Sequence, residues 1–84
     1  MKTFNVVVNV RGFDQERDQL ILKNLERRDR RLFSGGGFSF FDGTRDLSFT
    51  TFKKDVAQRL QKNLRTVLKK IKTRGSVKIW SDDN

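Results

Sequence analysis

An α+β sandwich is the fold class this sequence predicts, and three observations carry the prediction. Thr3–Val10 alternates apolar and polar residues over the length of a strand. Lys53–Arg74 spaces its apolar residues at helical intervals. Asp42-Gly43 stands between two strand-like runs, a strong hairpin signal.

The first strand is Thr3–Val10. Phe4, Val6, Val8 and Val10 point one way, and Thr3, Asn5, Val7 and Asn9 the other. Arg11-Gly12 breaks it, and Asp14 is suited to cap a helix running to about Arg30. That helix offers Leu20, Ile21, Leu22 and Leu25 to a core. Ser34-Gly35-Gly36-Gly37 reads as a loop or bulge. Phe38–Phe41 and Thr44–Phe49 are the next two strands, joined at Asp42-Gly43, where both turn residues need φ > 0. This pairing sets Phe41 opposite Thr44, Phe40 opposite Arg45 and Phe38 opposite Leu47. Thr50 or Thr51 caps the second helix, whose stripe is Val56, Leu60, Leu64, Val67 and Ile71, widened by Ala57 and Leu68. Gly75 ends it, since glycine tolerates the left-handed C′ position. Val77–Trp80 is the last strand, and Ser81–Asn84 is a frayed polar tail.

The order β-α-β-β-α-β is closed most simply as one ferredoxin-like domain over residues 1–80, a four-stranded antiparallel sheet with both helices on one face. The core-facing set is then Phe4, Val6, Val8, Val10, Phe38, Phe40, Leu47, Phe49, Val77 and Ile79. The open face carries Asn5, Val7, Asn9, Ser39, Phe41, Thr44, Asp46, Ser48, Thr50, Lys78 and Trp80.

Composition narrows the chemistry. The 84 residues contain no Cys, His or Tyr. Disulfides, thiolate nucleophiles and cysteine zinc sites are excluded, and the usual general base near neutral pH is missing. The chain reads as a non-enzyme without a cofactor or resident metal. The remaining catalytic alternative is a metal-dependent ribonuclease using Asp14 or Asp42. No apolar run reaches the roughly 20 residues of a membrane span. The N-terminus lacks a signal-peptide pattern. The expected location is the cytoplasm, with no membrane partner.

The net charge of +9 is uneven. Residues 1–42 hold eight bases and six acids, whereas residues 43–84 hold eleven bases and four acids. Lys53–Arg74 alone has nine bases and one acid, Asp55. Its outer face presents Lys54, Arg59, Lys62, Arg65, Lys69 and Lys72. A solvated helix normally mixes signs, so this bias points to a polyanion whose phosphates the bases neutralise. Lys69, Lys70 and Lys72 have a local alternative, because cations near a helix C-terminus complement its dipole. A second cluster, Arg27, Arg28, Arg30 and Arg31, could grip phosphates bidentately or pair with Glu26, Asp29 and Asp18.

Trp80, Phe41 and Lys78 on the open face suit base stacking with a cation beside it, or a homodimer interface through that face. The leading function is a small basic module binding RNA or single-stranded DNA. The alternative is a non-enzymatic inhibitor or adaptor that engages an acidic or nucleic-acid-handling protein, for which a virus or mobile element is one setting. Helix and sheet face lie on opposite sides of the sandwich, so one ligand would have to wrap an edge to touch both. The run Gly36-Gly37-Phe38-Ser39-Phe40-Phe41 faintly resembles the Gly-Phe-rich motif of RNA-recognition motifs, but on the second strand. No family follows from it.

Overall fold

A computed structural model describes residues 2–83. Its elements are β1 (Lys2–Arg11), α1 (Gln15–Lys23), α2 (Arg27–Arg30), β2 (Phe33–Ser39), β3 (Thr44–Thr51), α3 (Lys54–Lys70) and β4 (Gly75–Asp83). The four strands form one antiparallel sheet in the order β2-β3-β1-β4. The chain is therefore α+β, with three helices where two were expected, so the strict β-α-β-β-α-β order is not reproduced.

The core follows from the alternation in β1. Phe4, Val6, Val8 and Val10 are buried beneath Ile21, Leu25, Ala57, Leu60, Leu64, Val67 and Leu68 of the helical layer. Leu47, Phe49 and Val77 complete it from the neighbouring strands. Leu32 and Phe33 pack at its margin, where no core residue was expected.

The local departures from expectation have physical causes. The first helix stops at Asn24, whose side-chain amide donates to the Leu20 carbonyl at 2.8 Å and competes with continuation of the helix. A separate single turn, α2, follows from Glu26. The glycines lie inside β2, with the irregularity between Phe33 and Gly35. Gly36 is needed there, since a Cβ would come within 2.9 Å of the Asp46 carbonyl.

The β2–β3 connection is Phe40 to Gly43, and Ser39 pairs with Thr44, Phe38 with Arg45 and Gly36 with Leu47. Gly43 has φ 70° but Asp42 has no positive φ, so the expected two-residue turn does not form. Asp42 instead accepts from the Thr44 hydroxyl (2.8 Å) and backbone N–H (3.2 Å). Hydrogen bonds from Thr44 and then Ser39 hold its carboxyl below the ordinary carboxylate pKa. Moving the register by two keeps every strand residue on its expected face. It expels Phe40 and Phe41 into the turn, however, where both are almost fully exposed.

At the other end, α3 closes on Lys72, not Gly75. The Thr73 N–H donates to the Leu68 carbonyl and the Lys72 N–H to that of Lys69, with Lys72 at φ 56°. This is a Schellman closure with a lysine at C′. Lys53 occupies the N-cap without a side-chain cap, while Thr51 Oγ1 accepts from its N–H at 3.3 Å. Gly75 is required for packing, because a Cβ would sit 2.7 Å from the Asn9 carbonyl oxygen. Ser81–Asp83, expected to fray, extends β4 against β1 as far as the Lys2–Asp83 pair. Asn84 lies outside the described residues.

Candidate nucleic-acid interface

β4 is an edge strand, and α3 runs alongside it. The exposed edge of a strand carries unpaired backbone groups. Here the Val77 carbonyl accepts from Gln61 Nε2 at 2.8 Å and from the Arg65 guanidinium at 3.4 Å. These contacts tie the helix to the strand and leave a groove of about 730 Å³ between them. Its walls carry Lys62, Arg65 and Lys69 from α3, Arg74 from the connection and Lys78 from β4, with no acidic residue among the lining side chains. Five cations converging on one groove suit a chain of phosphates.

A second cavity lies on the other side of β4. Ser76 and Lys78 also line a depression of about 320 Å³ on the open sheet face, with Val7, Asn9, Asp46 and Trp80. Ser76 and Lys78 are thus common to the groove of the helical bases and to the depression that the exposed Trp80 lines.

Other expected site residues are placed elsewhere. Arg59 is engaged by the fully buried Asp29, with Nη2 2.7 Å from Oδ1, while Asn63 Nδ2 donates to Oδ2 at 3.1 Å. This pair joins α2 to the flank of α3 opposite the groove, so Arg59 is withdrawn from the basic face. Arg27, Arg28, Arg30 and Arg31 are exposed on that same far flank. Arg28 pairs with Glu26 at 2.9 Å, both well exposed, which contributes little to stability. Lys54 is exposed in the first turn of α3, eight residues or about 12 Å of helix from Lys62. Lys72 is exposed but does not line the groove.

Phe41 is not beside Trp80. It sits in the β2–β3 turn, at the opposite edge of the sheet. Phe40 packs edge-on against Phe38 (5.0 Å between centroids), and Phe38 against Phe13 (5.9 Å). The Arg45 guanidinium lies over the Phe13 ring at 4.7 Å and pairs with Asp18 at 3.0 Å. Phe13, Phe40 and Phe41 make this a second, apolar patch.

Asp14 accepts from the Arg17 N–H as the cap of α1, and Asp42 is occupied in its turn. Among the described residues no group of three or more acidic side chains is placed to hold a metal ion. Arg74, Gln61, Asn9 and Asp46 were not anticipated as site residues. A period of two through Arg74, Ser76, Lys78 and Trp80 is the signal that links Arg74 to the sheet-face residues. No family model, curated protein or solved structure matches the chain.

Proposed function

We propose that this chain is a ferredoxin-like module that binds single-stranded nucleic acid through the α3–β4 groove, without catalysis. The strand order β2-β3-β1-β4 beneath the helical layer supports the fold assignment. One observation carries the function: Lys62, Arg65, Lys69, Arg74 and Lys78 line one acid-free groove that leads to Trp80. Phosphates lie along the bases and release counterions, and a base stacks at Trp80. The groove follows an edge and ends on a flat face, which suits a flexible strand. The cytoplasm is the compartment this reading assumes.

Charge reversal tests the groove by position. Lys62→Glu with Lys69→Glu removes two phosphate contacts and adds repulsion, so oligonucleotide affinity should fall by about one to two orders of magnitude at low salt. Arg27→Glu with Arg31→Glu makes the same change in net charge on the far flank and should have a much smaller effect. Equal losses in the two double variants would mean that net charge, not the groove, governs binding.

The exposed Phe13, Phe40 and Phe41 favour a second reading, an adaptor or inhibitor that docks a protein at the hairpin end. Under that reading Phe40→Ser with Phe41→Ser abolishes capture of a stoichiometric protein partner, while the groove variants leave it intact.

A further inference from the structure

We infer that the depression beside Trp80 is a nucleobase subsite selective for guanine; this rests on the reading of the groove as a single-strand binding site. The inference starts from the hydrogen bonds that the open face has already satisfied. Ser34, Thr50, Asn5 and Asp82 form a side-chain chain across all four strands, with Thr50 Oγ1 3.1 Å from Ser34 Oγ and 3.0 Å from Asn5 Oδ1, and Asn5 Nδ2 3.2 Å from Asp82. A second pair, Asn9 and Asp46, stands apart from that chain. Asn9 Nδ2 donates to Asp46 Oδ1. A carboxylate only accepts, so the amide nitrogen faces it and Asn9 Oδ1 is turned away. Among the described residues, neither Asn9 Oδ1 nor Asp46 Oδ2 has a hydrogen-bond partner. No ion pair joins Asp46 to Lys78 among the described residues.

The depression is therefore bounded at one end by these two acceptors, with the Ser76 hydroxyl opposite Asn9, and at the other by an aromatic ring, with Val7 and Lys78 between them. A carboxylate repels phosphate, so this end suits a base edge while Lys78 serves the backbone. The acceptor pair then discriminates among bases. Guanine presents two adjacent donors, N1–H and the 2-amino group. Adenine and cytosine present one amino donor beside a ring acceptor, which would abut the carboxylate. Uracil and thymine present one donor between two carbonyls, the poorest match. Two matched hydrogen bonds discriminate by about tenfold or more between bases.

The test uses the full chain and fluorescein-labelled oligouridines of about eight nucleotides, a length within the range of single-strand sites. One central residue is varied among guanine, inosine, adenine, cytosine and uracil, with deoxyuridine counterparts as a second arm. Anisotropy titrations at low salt should rank guanine about tenfold above uracil, with inosine in between because it lacks the 2-amino donor. Asp46→Asn places a donor against guanine and removes a charge that repels phosphate, so the preference should disappear while the affinity for plain oligouridine rises rather than falls. Asn9→Ala, which leaves the carboxylate, should reduce the preference without abolishing it. Circular dichroism melts of both variants show whether each is folded. Equal affinity for guanine and uracil oligonucleotides, or a guanine preference that survives in folded Asp46→Asn, overturns the base assignment and leaves groove binding standing. No binding to any oligonucleotide overturns both.

Discussion

Lys72 adopts φ 56°, a conformation that costs a residue with a Cβ about 1–2 kcal/mol and costs glycine almost nothing. Lys72→Gly should therefore stabilise the fold by about 1 kcal/mol, raising the melting temperature of a domain this size by roughly 5 °C. Gly75, three residues on, has the opposite character. Gly75→Ala drives a Cβ against the β1 backbone and should cost about 1–3 kcal/mol, seen as a lower midpoint in urea. A Gly75→Ala variant with an unchanged midpoint would remove the β1 contact as the reason for that glycine. Asp29 and Arg59 differ in the same instructive way. Asp29 is fully buried, whereas the Arg59 side chain is about one-third exposed. Arg59→Ala leaves a buried carboxylate with Asn63 alone and should cost about 3–5 kcal/mol. Asp29→Ala frees an arginine that can turn to water and should cost less. Urea unfolding of the two single variants decides the order.

Element by element, the sequence was most legible where one periodicity ran unbroken. The strand of Phe4, Val6, Val8 and Val10 and the stripe of Leu60, Leu64 and Val67 are both core, because burial on one face is what those patterns encode. Ends and connections were less legible. Asp42-Gly43 has the composition of a tight turn, but Asp42 keeps negative φ and bonds Thr44, and the register moves by two. Three consecutive glycines read as a loop or bulge; an irregularity does lie at Phe33 and Gly35, but Gly36 is held in β2 by a close approach to Asp46 that no local pattern could reveal. The basic face of α3 was legible as charge. Its division was not, because Arg59 faces a buried Asp29 from α2 while Lys62, Arg65 and Lys69 face β4. That division depends on which helix flank meets which neighbour. It is also why reversing Lys62 and Lys69 should matter more than reversing Arg27 and Arg31.

For the molecule as a whole, the consequence is a separation of surfaces. The cationic groove and Trp80 lie along the β4 edge, and the Phe40–Phe41 tip lies at the β2 edge across the sheet. A strand of nucleic acid and a protein partner could thus be held without competing for the same side chains. Among the described residues, no helix is long and apolar enough to cross a membrane. The groove's five cations set the expected salt response. Engaging about four or five phosphates of a single strand gives a slope near −3 in log affinity against log salt concentration. The measurement that tests the central claim most directly is an oligonucleotide titration at about 50 and about 200 mM salt. The account predicts binding at the lower concentration and a loss of roughly 60-fold at the higher. No binding at low salt, or an affinity unchanged between the two, would contradict it.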